Sequence, residues 1–559
     1  MSPPESGECA GDQPSSVADC LRLMEQVPAA AASAPAFRRH WPSVSASLAT
    51  LSTALSSPAF PPAAPLLAPL AAALSALLSV AADAGRLGHL HTVSLLSSSA
   101  ASLAQLAADA RVLAAPGSAA SGGCGAGGVD GGGVEGVISR LRMGSAASRA
   151  AALEDLAAAV GTLPASSAAA AVSAVASLLD SGDLLPASRE RAVSLLAAFA
   201  SSDHARPFLA QESSALLPHL CRALESGTTA AAEHACAALL PLTASSRDAA
   251  AAVAARGGVA ALLSACASGT PAAQAAAAGV LRNLAAFPDL LPYFRDEGHG
   301  AVLLRLVSLG TPRARELALG CLQNLTAGDG DDVQRMKVDA FQDGALACVR
   351  DFLDGARGDE PALAPALGLL RNMSTFRYVA EIAASAGFLS LVAAALAGSD
   401  SPATRAEAAM ALAELCHVGS KARRRRHQEL GDAAVPRLVW MLEAKSAAER
   451  DAAARALAAL LASGSGGGAG HYRKLFRKDE RGVVNAVQLL DPARAGGVDR
   501  RFPVAVLLAV AQSRRCRKQM VAAGACGFVQ SLVDAEVDGA KKLAECLGKG
   551  KMLGVFPRT

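Results

Sequence analysis

The sequence predicts an all-α solenoid of about nine stacked repeats preceded by a small helical bundle, and three observations lead there. The first is a tetrapeptide of the form Leu-x-(Asn/Glu)-(Leu/Met) that returns at a near-constant interval. Leu281-Arg282-Asn283-Leu284 is followed after 41 residues by Leu322-Gln323-Asn324-Leu325, after a further 48 by Leu370-Arg371-Asn372-Met373, and after 42 by Leu412-Ala413-Glu414-Leu415. Looser copies begin at Leu153, Leu195, Leu239, Leu457 and Leu507. The second is a glycine at one point of the later units: Gly300, Gly344, Gly387, Gly431, Gly482 and Gly524. The third is composition: apolar residues reach 52 %, yet aromatics supply only 3 % and alanine much of the remainder. A period in the forties without strand signals marks helical units whose apolar faces are buried only by stacking. Alanine favours helices and lets them approach closely.

Residues 1–16 are polar and acidic and predict a disordered N-terminus without a signal-peptide pattern. Residues 17–113 lie outside the repeat. Their apolar periodicity predicts four helices, at about 17–29, 36–57, 63–83 and 89–113, forming an up-and-down bundle. No charge occurs between His40 and Asp83, but Pro61, Pro62 and Pro65 precede the apolar run, and alanine and serine dilute it. A buried bundle helix is the reading over a membrane span. Residues 114–136 are dominated by Gly, Ala and Ser and predict a linker. Gly123, Gly125 and Gly128 there match a dinucleotide fingerprint in form only, since no strand precedes them.

Repeats are expected over 137–547, with a tail at 548–559. In the clearest unit a short first helix (248–255) ends at Gly257-Gly258. A second helix (259–267) follows, then the turn Ser268-Gly269-Thr270-Pro271, then a long third helix (272–285) carrying Asn283. Glycine suits the bend between the first two helices because it accepts φ > 0 and close backbone approach. Helix, glycine, helix, turn, helix at about 42 residues per unit is an armadillo-type arrangement as distinct from two-helix units, and resemblance to that type implies a right-handed winding.

The units Gly257-Gly258-Val259…Leu281-Arg282-Asn283-Leu284 and Asp343-Gly344-Ala345…Leu370-Arg371-Asn372-Met373 resemble armadillo repeats of the β-catenin-like and plant U-box ligase kind. Phe37-Arg38-Arg39-His40-Trp41, the stretch Gly85-Arg86-Leu87 with the long helix after it, and Lys541-Lys542-Leu543 to Lys551 are similar to plant armadillo proteins that lack a U-box. The 23-residue linker leaves no room for a U-box, so ligase activity does not come with the resemblance. What it implies is a non-catalytic interaction scaffold whose third helices line a groove. Asn283, Asn324 and Asn372 would bond the backbone of an extended partner there, beside Arg282, Arg371 and Glu414. The alternative is that each Asn bonds the backbone of the neighbouring repeat. Nuclear-import adaptors carry a Trp one turn before such an Asn. Here Gly279, Gly320, Gly368 and Met410 stand at those places, so the cation-gripping ladder is missing. A ligase-pathway component working beside a separate U-box protein is a further alternative.

Net charge is +3, yet residues 421–559 hold 26 Lys+Arg against 13 Asp+Glu while residues 1–420 hold 26 against 36. Arg423, Arg424, Arg425 and Arg426 occupy a first-helix position, as do Arg473 and Lys474, and Arg514 and Arg515, in later units. Equivalent positions on stacked units predict a basic ridge. A nuclear-localisation signal, an anionic membrane surface, an acidic protein or a solvated face would each suit it. Nucleic acid is not the expected partner, because aromatic interleaving is nearly absent.

Twelve cysteines without paired spacing fit a reducing compartment, cytoplasmic or nuclear. Cys236, Cys266, Cys321, Cys348 and Cys416 read as small hydrophobes. The sequons at Asn324 and Asn372 arise from the repeat motif itself. The sequence carries no catalytic motif, metal-ligand spacing or cofactor fingerprint in its structural context, so the chain is expected to be no enzyme and to need no cofactor or metal.

Overall fold

A computed structural model describes residues 16–33, 37, 40–57, 66–83, 89–114, 131–181, 184–295, 298–356, 360–416, 424–462, 468–493 and 496–552. Residues 1–15 of the expected N-terminal segment 1–16, the glycine fingerprint, Arg423 and residues 553–559 lie outside them. The chain divides into two compact units, Met1–Ser245 and Ser246–Thr559.

The first unit opens with α1 (Val17–Ser33), α2 (Trp41–Leu55), α3 (Leu67–Asp83) and α4 (His89–Leu113). Ser16 and Asp19 start α1 with a reciprocal cap: the Asp19 amide donates to the Ser16 hydroxyl and the Ser16 amide to the Asp19 carboxylate, both at 3.2 Å. Helix α1 packs on α3 and α2 on α4. Leu51, Leu70, Leu74 and Leu103 are sealed at the centre of this bundle, as the apolar periodicity requires.

After the bundle come α5 (Gly131–Met143), α6 (Ala146–Ala159), a 3-10 turn at Val160–Thr162, α7 (Ala165–Asp180), α8 (Pro186–Ser201), α9 (Arg206–Gln211), α10 (Ser213–Ser226) and α11 (Thr229–Ser245). Here the expected linker 114–136 is corrected, because its last six residues are the opening turns of α5. Val134, Ile138 and Leu141 recur on one face of that helix and are buried. Burial of an apolar stripe outweighs the poor helix propensity of the glycines.

The second unit contains α12 (Arg247–Ala255), α13 (Gly258–Ser268), α14 (Pro271–Ala285), a 3-10 turn at Pro288–Phe294, α15 (His299–Leu309), α16 (Pro312–Leu325), α17 (Asp331–Gln342), α18 (Ala345–Gly355) and α19 (Leu363–Met373). It continues with α20 (Arg377–Ser385), α21 (Phe388–Gly398), α22 (Pro402–Cys416), α23 (Arg424–Met441) and α24 (Ala447–Ala462). It ends with α25 (Gly468–Lys478), α26 (Glu480–Gln488), α27 (Arg501–Val510), α28 (Arg514–Ala522), α29 (Ala525–Asp534) and α30 (Ala540–Met552). The three-part unit recurs through these helices, so the fold is an armadillo-type α-solenoid. Leu284, Leu325 and Leu415 are at most 1 % exposed.

The bend between first and second helices is made at Gly344 and Gly387, whose φ of 90° and 91° an L side chain adopts only with strain. Three expected hinges differ. The left-handed residue before α15 is Gly298, and Gly300 instead lies against the Asp343 side chain. Gly482 sits inside α26 beneath the Phe476 ring. Gly431 falls within α23, where first and second helices run on as one. Glycine permits a left-handed residue without requiring one. The last helix also extends to Met552, past the expected boundary at 547.

Among the described residues no single helix is long and apolar enough to cross a membrane. Two bent pairs, α12 with α13 and α20 with α21, reach that length and composition together.

Candidate partner-binding face

Two third helices, α14 and α16, begin with the same chemistry. The Thr270 and Thr311 hydroxyls accept from the Ala273 and Ala314 amides at 3.1 and 3.2 Å, and Pro271 and Pro312 follow in the first turn. Such residues stop one helix and start the next at a defined angle. The successive third helices α14, α16, α19, α22, α24 and α27 then lie side by side, each packed on the next. One face of this ladder carries half-buried polar side chains.

The Asn positions behave differently from an open amide rail. Asn324 Nδ2 donates to the Arg282 carbonyl at 3.0 Å. Asn372 Nδ2 donates to the Gln323 carbonyl at 2.9 Å and to Thr326 Oγ1 at 3.2 Å, and its Oδ1 accepts from Arg371 Nε and Nη2 at 3.1 and 3.0 Å. Asn372 and Asn283 are buried. Two of the three amides therefore tie their helix to the one before, the alternative recognised from sequence. An amide suits that role because it joins a donor pair to an acceptor.

The partly exposed groups of the face lie beside them. Arg371 Nη1 pairs with Glu407 Oε2 at 2.8 Å, and Gln323 Nε2 donates to Glu407 Oε1 at 3.2 Å. One carboxylate thus bridges α16, α19 and α22. Burial raises the Glu407 pKa, with Arg371 and the Gln323 bond opposing it. Arg282 lies over Gly320, where a Cβ would stand 2.8 Å from its Cδ, and Gln323 occupies the space where a Cβ on Gly368 would project. The glycines that replace an aromatic ladder thus make room for the preceding repeat's long polar side chains.

Behind the face Lys337 is buried at 2 % exposure, donating to the Gly328 carbonyl at 2.9 Å and to Thr375 Oγ1 at 3.1 Å. Burial lowers its pKa, while Asp329 and Glu414 favour the ammonium. Sequence reading missed Glu407 and Lys337. Glu407 was findable seven residues, two helical turns, before Glu414. Lys337 stands among Val333, Met336 and Ala340 on an apolar stripe, where a lysine signals an internal bond.

The basic positions lie on first helices. Arg424, Arg425 and Arg426 begin α23, with side chains outside the described residues. Arg473 Nε donates to the Leu461 carbonyl at 2.9 Å, Lys474 and Arg514 are exposed, and Arg515 Nη2 meets Glu480 Oε1 at 2.8 Å. His471 Nε2 lies 3.1 Å from Asp432 Oδ1. These last two contacts link α23 to α25 and α26 to α28.

No protein-family model matches the chain, and no curated protein matches it significantly. Among solved structures, an engineered protein from a structural-genomics consortium is 24 % identical with a TM-score of 0.58, covering 74 % of this chain and 98 % of its own. That likeness shows the fold alone. A designed armadillo repeat protein (20 % identical, TM-score 0.38) covers 44 % of this chain and 99 % of its own. Another, in complex with the peptide (KR)4 (19 %, TM-score 0.37), covers 44 % and 98 %. Those two scores are too low to argue from.

Proposed function

We propose that the chain is a non-catalytic scaffold that holds an extended segment of a protein partner along the third-helix face of α14, α16, α19 and α22. The observation that supports this reading most is the half-buried run of Arg282, Gln323, Arg371, Glu407 and Glu414 across four successive rungs. An extended chain can cross rungs and meet each in turn, which a compact ligand cannot. Asn324 and Asn372 then act mainly by fixing the rungs. Peptides of 16 random residues, displayed and selected on the full chain, test the reading. Binders should be lost with Arg371→Glu and kept with Lys474→Glu plus Arg514→Glu. Binders indifferent to Arg371→Glu would move the site elsewhere.

A second reading places an acidic partner or anionic lipid on the first helices of the C-terminal repeats. It draws support from the contact that sets α25 beside α23, and from exposed Lys474, Lys478, Arg514 and Lys518 on α25 and α28. Flotation with vesicles containing phosphatidylserine tests it: binding should vanish with added salt and with charge reversal at those four positions. A role in a ubiquitin-ligase pathway rests on the resemblance alone.

A further inference from the structure

Two side chains on the third-helix face stand apart from the rest. The middle of the face is closed on itself, since Arg371 is held by Asn372 and Glu407, and Glu407 by Arg371 and Gln323. At one end Arg282 forms no ion pair among the described residues, its stem lying over Gly320. At the other end, three rungs along, Glu414 likewise forms none among the described residues and acts on Lys337 through space. Both are half-buried. A charge in that setting has lost part of its hydration and gains more from a partner than a surface charge does.

We infer that the occupant of this face is a dipolar extended segment, presenting a carboxylate to Arg282 and an ammonium or guanidinium to Glu414. The inference rests on the reading of the face as a groove for an extended chain. Packed helices lie ~8–10 Å apart, so three rungs span ~24–30 Å. An extended chain advances ~3.3 Å per residue, which puts the two charged side chains about seven to nine residues apart. Segments of uniform charge fit less well. A polybasic one meets Arg282 and Arg371, and a polyacidic one meets Glu407 and Glu414, and like charges held together are what specificity against wrong partners is made of.

The 16-residue peptides selected on the full chain supply the test, read by fluorescence anisotropy. Their alignment should show one acidic and one basic position about seven to nine residues apart, in one order along the peptide. Neutralising either should weaken binding by about tenfold or more. The double variant Arg282→Glu with Glu414→Lys should lose the selected peptide and gain its charge-swapped counterpart, a rescue that also shows the variant is folded. Peptides that lose binding with Arg371→Glu but ignore the double reversal would leave the groove reading intact and overturn the dipolar one. Peptides insensitive to both, or no selected peptide at all, would overturn both.

Discussion

Asn372 donates its amide to the backbone carbonyl of Gln323 across 2.9 Å, so that a side chain of α19 completes the last turn of α16. The carbonyls in the final turn of a helix have no partner within it, and here the next repeat supplies one. Coupling between units is thereby written into the motif that marks each unit in the sequence.

Replacing Asn372 by Ala should therefore lower stability by about 1–3 kcal/mol, since it removes the bonds of a buried amide to the Gln323 carbonyl, to Thr326 and to the charged Arg371 at once. Asn324→Ala, which removes one bond from a more exposed residue, should cost less. Urea midpoints of the two variants check this. A silent Asn372→Ala would place its amide outside the stack.

Leu325→Ala should cost about 2–5 kcal/mol, as truncation of a side chain 1 % exposed. Because stability in such arrays sums unit and interface contributions, amide protection should fall in adjacent units as well. Hydrogen exchange across α14 to α22 measures it.

Arg405 and Glu449 form an ion pair at 2.7 Å with side chains 7 % and 4 % exposed, joining α22 to α24. Arg405 also donates to the Asp400 carbonyl at 2.7 Å and lies over the Trp440 ring. Glu449→Ala should cost about 3–5 kcal/mol by leaving a buried guanidinium unpaired, whereas Arg405→Met with Glu449→Leu should recover much of that loss. A double-mutant cycle in thermal unfolding decides it.

Alkaline pH should destabilise the fold through its buried thiols. Burial pushes Cys236 and Cys416 from the ordinary 9.0 up to about 12. A raised folded pKa contributes stability that is whole below 9.0 and is lost as pH rises toward about 12, because the unfolded thiol ionises first. Each thiol should remove about 1.4 kcal/mol per pH unit in that window. Urea midpoints from pH 8 to pH 11 should fall less steeply in Cys236→Ala and Cys416→Ala, each compared with its own value at pH 8.

Much of the fold was legible in the chain because it is periodic. Leucines at fixed intervals, Gly344 and Gly387 at the bends, and Thr270-Pro271 and Thr311-Pro312 at the starts of α14 and α16 act through local backbone chemistry, which a sequence displays directly. Residues 131–136 read differently in the structure because local preference there competes with burial, and Gly431 because glycine permits a bend without imposing one. The site was legible in part. Asn324, Asn372, Arg282, Arg371 and Glu414 fall on one ladder, but Glu407 and Lys337 carry no motif.

By itself the sequence determined the α-solenoid, its unit length, the bundle before it and the uneven charge. All of these follow from periodicity and residue type within one unit. Only the tertiary structure decided which way the Asn amides face, that Arg282 and Gln323 fill the spaces left by Gly320 and Gly368, and that Glu407 closes a bridge over three helices. Those outcomes depend on groups 36 to 84 residues apart meeting across stacked units. An amide has equal chemistry toward a partner's backbone and toward its own neighbour's, and only the stack brings one of them within reach.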